Sequence, residues 1–158
     1  LMASSPRVAK HVHAPLQSGS DRILRRMFRK YHPWNYRERM LAAHARMPDA
    51  AFGADVMVGF PGETNEDFEQ TFRFIASLPF TYLHVFPYSS RPGTAAAARN
   101  GHLNGRIIHE RGQEMRALIA TKRQAFLESQ VGRTLSALTL DEVQDGARVA
   151  LCSTGVIP

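Results

Sequence analysis

Residues 52–60 constrain the fold most. Phe52-Gly-Ala-Asp-Val-Met-Val-Gly-Phe60 is a short apolar run bounded by glycines, as expected of a strand buried on both faces of a parallel sheet. It ends in the turn Pro61-Gly62-Glu63. Thr64-Asn65-Glu66-Asp67 then has the Ser/Thr-x-x-acid spacing of a helix start, and Phe68, Phe72, Ile75 and Leu78 fall on one buried stripe. A further buried strand is predicted over residues 80–88, so the segment reads as a right-handed βαβ unit.

The alternation extends in both directions. Val12, Ala14 and Leu16 alternate with His11, His13 and Pro15, which predicts a short strand ending in the loop Gln17-Ser18-Gly19-Ser20. Residues 21–30 carry Ile23, Leu24 and Met27 at helical spacing, with Ser18 or Ser20 available as the N-cap. Pro33 is expected to break the chain before a second helix over about residues 35–46. Residues 95–105 look irregular, although their run of alanines offers a helix start. Residues 106–130 place Ile108, Met115, Leu118, Ile119 and Phe126 on one face of a long helix. After Gly132 the period drops toward two, in Leu135, Ala137 and Leu138 and again in Val149 and Leu151, with Asp145-Gly146 as a turn between them. The pattern predicts an α/β domain over residues 1–130, its sheet open or curled as part of a barrel. A small β module should begin within residues 131–158.

Composition narrows the partners. Twenty Lys and Arg against fourteen Asp and Glu give +6, and Arg22, Arg25, Arg26, Arg29, Lys30, Arg37 and Arg39 crowd one stretch. That stretch reads either as a solvated helix face or as a phosphate-contacting patch. Cys152 is the single cysteine, which excludes an internal disulfide and any multi-thiolate zinc or iron–sulfur site formed by this chain alone. No apolar run approaches the roughly 20 residues needed to cross a bilayer, and a soluble, cytoplasmic protein with no membrane partner is expected.

In α/β sheets, ligands bind at the C-terminal ends of the strands. The loops there are residues 17–21, 59–64 and 87–94, each pairing glycine with side chains able to hydrogen-bond a nucleoside or an amino acid. Ser18 and Ser20 are also explained by turn chemistry and capping, and Glu63 by the positive end of a helix; Gln17 escapes such explanations best. Phe86 and Tyr88 read as core aromatics or stacking platforms. His11, His13 and His84 read as structural or substrate-facing, with no metal ligand expected in this chain. Arg91, beside Pro92-Gly93, is the best candidate for holding a carboxylate or phosphate.

Together, His11-Val-His-Ala-Pro-Leu-Gln-Ser-Gly-Ser-Asp21, Asp55-Val-Met-Val-Gly-Phe-Pro-Gly-Glu-Thr64 and His84-Val-Phe-Pro-Tyr-Ser-Ser-Arg-Pro-Gly-Thr94 resemble successive motifs of the radical-SAM methylthiotransferases. With the long helix and the Val131-Gly132-Arg133 entry into a β module, the resemblance covers roughly residues 8–140. It implies the C-terminal part of a partial (β/α) radical-SAM barrel followed by the start of a TRAM domain, a small RNA-binding β-barrel. It also implies transfer of a methylthio group to C2 of a modified adenosine at position 37 of tRNA, in the anticodon stem-loop, with the threonylcarbamoyladenosine branch the most similar. The implied cofactors are S-adenosylmethionine and two [4Fe–4S] clusters whose cysteines would lie in an N-terminal part of the same polypeptide. By motif position, Gln17, Ser18, Gly19, Gly59, Glu63, Phe86, Pro87 and Tyr88 would hold S-adenosylmethionine, and His13, His84 and Arg91 would face the substrate. The chain alone is then expected to be inactive, and with no earlier barrel strands residues 12–16 would present an exposed edge and an uncovered apolar face. Three other readings remain open: a noncatalytic RNA-binding module, a sister branch acting on isopentenyladenosine or a ribosomal protein, and an unrelated barrel enzyme that binds a phosphorylated metabolite.

Overall fold

The computed structural model describes residues 2–5, 7–144, 147–152, 155 and 156. β1 (His11–His13), β2 (Ala51–Val58) and β3 (Tyr82–Pro87) form a parallel sheet in the order β1-β2-β3. α1 (Asp21–Arg26) and α2 (Pro33–Arg46) connect the first two strands and α3 (Asn65–Ala76) the next two. α4 (Gly105–Glu128) follows β3 and packs against β3 and β2. Phe52, Ala54, Val56 and Val58 turn to the helices, where they share a core with Leu16, Phe68, Ile75 and Met115.

The opposite face of the sheet is different from the expectation. Leu16 is wholly buried and Val12 packs on the same core, so the apolar side of the β1 region is the covered one. The face turned away from the helices presents His11, His13, Asp55, Tyr82 and His84, so among the described residues no uncovered apolar face forms at β1, although β1 does stand at the edge of the sheet. β3 is correspondingly less buried than its apolar run predicts. Leu83 and Val85 pack on the core, while His84, Phe86 and Pro87 are exposed, because helices cover one side only and β3 has one strand neighbour among the described residues.

Local chemistry sets the helix ends. α3 begins in a capping box: the Thr64 side chain accepts the Asp67 N–H and the Asp67 carboxylate accepts the Thr64 N–H. Pro33 starts α2 rather than breaking the chain ahead of it, since the first helical position needs no N–H. α1 is shorter than its periodicity predicts. It closes at Phe28, which takes the left-handed conformation (φ 57°) while Phe28 N–H donates to Arg25 O and Arg29 N–H to Leu24 O, a Schellman closure with phenylalanine where glycine is usual. The alanine run makes turns closed on Thr94, not a helix.

Beyond α4, β4 (Ala137–Gln144), β5 (Ala147–Cys152) and β6 (Gly155–Val156) form a separate antiparallel sheet. This is the expected hairpin with a third short strand; the expected turn at Asp145-Gly146 lies outside the described residues. Arg133 donates to Asp49 Oδ1 at 2.6 Å, tying the lead-in of this sheet to the α2–β2 turn. Among the described residues no helix is long and apolar enough to cross a membrane.

Candidate functional site at the C-terminal rim

Two cavities open at the C-terminal end of the parallel strands. One, about 210 Å³, is lined by Gln17, Arg26, Phe28, Arg29 and Arg99; the other, about 360 Å³, by Phe86, Pro87, Tyr88, Ser89, Arg91 and Thr94. Met57, Phe60 and Ala96 line both, so the two make one groove along the rim. A third cavity, beside Tyr31, Tyr36 and Arg39, lies away from the glycine loops.

Gln17 and Phe28 are the two described non-glycine residues with positive φ (67° and 57°), and both line the first cavity. Such a conformation costs on the order of 1–2 kcal/mol per residue, and strain of this kind gathers at sites where position matters more than stability. Gln17 is held there by its own backbone: its N–H donates to Asp55 O at 2.7 Å and its carbonyl accepts from Met57 N–H at 2.9 Å. Phe28 stands exposed with the Arg99 guanidinium 5.2 Å over its ring.

The expected cofactor residues divide into two sets. Gln17, Phe86, Pro87 and Tyr88 line the groove, as does Arg91. The Tyr88 hydroxyl is buried there without a hydrogen-bond partner among the described residues, while its ring meets Phe60 edge-on at 5.6 Å. Ser18, Gly19 and Glu63 instead turn inward. Ser18 Oγ donates to Thr71 Oγ1 at 3.1 Å and accepts from Ser20 N–H, and Gly19 N–H also donates to Thr71 Oγ1. Glu63 is buried; its carboxylate accepts from Gly59 N–H at 2.7 Å and from Arg111 Nη1 at 2.6 Å. Burial pushes the Glu63 carboxyl up, and the Gly59 and Arg111 donors pull it back only in part. Gly59, at φ 79°, sits under the groove with Ile108 where a side chain would go.

A second network locks the loops to α3. Asp67 accepts from Ser20 Oγ (2.7 Å), Thr64 Oγ1 (2.6 Å) and the Arg22 guanidinium, which also donates to Gly62 O. Burial opposes ionisation of Asp67, yet these donors together hold its carboxyl far below the usual carboxylate range.

His13 and His84 lie one side-chain row deeper, on the open sheet face. Asp55 joins them, its Oδ1 lying 3.1 Å from His13 Nε2 and 3.2 Å from His84 Nδ1, and the Tyr82 hydroxyl bridges His13 Nδ1 and His11 Nε2. Burial, with His13 adding to it, pushes the His11 imidazole down; burial, with Asp55 adding to it, pushes the Tyr82 phenol up. Sequence reasoning missed Asp55, Tyr82, Met57 and Phe28. The first three carried a signal, since each occupies an outward position of its strand at the row of a histidine or the rim.

The rim fits an adenosyl amino acid in kind: apolar and aromatic walls, an orphaned buried hydroxyl and Arg91 nearby. An iron–sulfur cluster does not fit the chain's own residues, because the single cysteine, Cys152, lies buried on β5 of the other sheet.

Residues 2–75 match the sequence model of the Radical SAM superfamily. The chain is 42% identical over 142 residues to a threonylcarbamoyladenosine tRNA methylthiotransferase (MtaB) of Aquifex aeolicus, covering 90% of this chain and 35% of the relative. It is 40% identical over 140 residues to a tRNA-2-methylthio-N(6)-dimethylallyladenosine synthase of Kineococcus radiotolerans, covering 89% and 28%. With the enzyme of the same name from Mycobacterium sp. (strain MCS) it is 46% identical over 140 residues, covering 87% and 26%. The chain thus spans about a quarter to a third of the length of the curated relatives it matches. On this footing the chain is identified as a stretch of the radical-SAM methylthiotransferase family.

Proposed function

We propose that this chain forms the C-terminal part of the radical-SAM barrel, residues 1–130, and the start of a TRAM-like module, residues 131–158, of a cytoplasmic tRNA methylthiotransferase. The substrate is N6-threonylcarbamoyladenosine 37 in the anticodon stem-loop, and C2 receives the methylthio group. The observation that carries the reading is the meeting of Gln17, Phe86, Pro87, Tyr88 and Arg91 around one groove at the strand ends.

Gln17, Phe86, Pro87 and Tyr88 would hold S-adenosylmethionine there, and together with clusters on cysteines outside these residues it would provide radical chemistry. The chain's own residues bind and orient. Phe86, Pro87 and Phe60 wall the groove against water, Tyr88 offers a hydroxyl to a polar ligand atom, and Gln17 sets the loop at the mouth. Ser18, Gly19, Gly59 and Glu63 serve the cofactor through backbone placement, since Ser18 and Gly19 are engaged with Thr71 of α3, Glu63 with Arg111 of α4, and the Gly59 N–H with Glu63. His13 and His84 face the substrate from the sheet, and Arg91 meets a carboxylate or phosphate. Alone, the chain is inactive.

A second reading, dimethylallyladenosine as the substrate, is favoured by the names of two relatives at 40% and 46% identity. The test is expression of the full-length polypeptide containing this stretch in a host lacking both enzymes, followed by mass spectrometry of tRNA nucleosides. The threonylcarbamoyladenosine product should gain a methylthio group, and Tyr88→Phe and Gln17→Ala should reduce it. A methylthio group on dimethylallyladenosine alone would establish the second reading. If tRNA binds and neither nucleoside is modified, a noncatalytic RNA-binding role replaces both.

A further inference from the structure

We propose that His13, Asp55 and His84 form a mononuclear site for a divalent first-row transition ion on the open face of the parallel sheet. The inference goes beyond S-adenosylmethionine binding and does not depend on it.

The three ligands come from three adjacent strands. Asp55 and His84 are register partners across β2 and β3; His13 on β1 stands opposite Gly53, two residues before Asp55 and on the same face. Among the described residues these form the one group of three whose donor atoms all lie within 4.8 Å of one another. Asp55 Oδ1 is 3.1 Å from His13 Nε2 and 3.2 Å from His84 Nδ1. Ligand atoms about 2.0 Å from one tetrahedral ion are roughly 3.3 Å apart, so two of the three edges are already near that spacing. The third edge is within 4.8 Å, and it involves the His84 side chain, which is 59% exposed and so has room to turn. Two imidazoles and one carboxylate with further positions open to solvent is a donor set for zinc or ferrous iron rather than magnesium or calcium.

An outer shell is built around His13. Its Nδ1 lies 2.9 Å from the Tyr82 hydroxyl, which lies 2.6 Å from His11 Nε2. When the Tyr82 hydroxyl donates to His11, its oxygen accepts from His13 Nδ1–H, leaving the His13 Nε2 lone pair on the Asp55 side. That is the tautomer an Nε2 ligand requires. Tyr82 reaches this position because Gly53 has no side chain beneath its ring. His13 and Asp55 are only 30% and 24% exposed, so two of the ligands are held before an ion arrives.

The test is titration of the metal-free chain with Co2+ alone, read by visible d–d absorption and by the thermal melting temperature. One ion per chain is expected, with bands of a four- or five-coordinate site and a raised melting temperature. His84→Ala, at an exposed position, should weaken binding by at least about tenfold, and Tyr82→Phe by about tenfold; His109→Ala, on the exposed side of α4, should leave it unchanged. The site is overturned if Co2+ neither shifts the melt nor produces bands, or if His84→Ala and Asp55→Asn bind as tightly as the parent. Loss of methylthio transfer in the full-length polypeptide has no bearing on these readouts, so the two proposals fail separately.

Discussion

The phenol ring of Tyr82 lies directly over Gly53: a Cβ at position 53 would stand 1.8 Å from Tyr82 Cζ. Gly53→Ala must therefore expel the ring and break its bridge between His11 and His13. Overpacking of this kind costs about 1–3 kcal/mol, measurable as a fall in the urea midpoint. In a Tyr82→Ala background the same substitution should cost no more than about 0.5 kcal/mol. Equal costs in the two backgrounds would show that the ring is not the obstacle.

Arg111→Ala is expected to destabilise the chain by about 3–5 kcal/mol, because it leaves the buried Glu63 carboxylate facing only the Gly59 N–H. Arg111→Met combined with Glu63→Gln should recover part of the loss. Thermal melts of the single and double variants decide it; no recovery would mean that the Arg111 bond to Asn65 or its place over the Phe68 ring dominates.

Asp67 should make the fold acid-sensitive. Its carboxyl is depressed in the folded chain, so its contribution is fully present above the unfolded value of about 3.9 and is lost as pH falls from there toward the folded value. Urea midpoints of the parent and Asp67→Asn, compared from neutral pH downward, should differ most at neutrality and converge below the usual carboxylate range. Glu63, pushed up mainly by burial, acts with the opposite sign in both proteins and leaves in the difference only the part of its shift that Asp67 itself adds. A gap that stays constant with pH would contradict the role assigned to the Asp67 charge.

Phe28→Gly should stabilise the chain by about 0.5–1 kcal/mol, since glycine accepts the left-handed closure of α1 without strain. Equilibrium dialysis with S-adenosylmethionine, done on the full-length polypeptide, should show weaker binding in the same variant. A stabilised protein that binds as well as the parent would mean that Phe28 is not part of the ligand groove.

Much of the fold and part of the rim can be read from the amino-acid sequence. The Thr64–Asp67 capping box, the buried stripe of α3 and the parallel strand at residues 51–58 follow from residue type and spacing, because each is a local rule with a short reach. What escapes such reading is set by contacts between elements distant in sequence. Asp55 looks like an oddity in an apolar run; only the register of β2 against β1 and β3 brings it to both His13 and His84. Glu63 is readable as a helix-terminal charge or a ligand-binding group. Its actual partner, Arg111, arrives from a helix beginning some forty residues later. The early end of α1 at Phe28 contradicts periodicity and propensity alike, as expected where a backbone is bent to suit a cavity.

The inward turn of Ser18 and Gly19 makes α3 the common foundation of two separate rim segments. The loop after β1 hangs on Thr71 and Asp67, and the loop after β2 runs directly into the same helix at Thr64. Two walls of the groove thus ride on a single rod, and the gap between them is set by where that rod lies rather than by either loop. Drift at Thr71, buried and remote from any ligand, would move both walls together, whereas a substitution inside one loop, such as at Ser18, would move that wall alone. Specificity at the rim is in this sense inherited from the scaffold behind it.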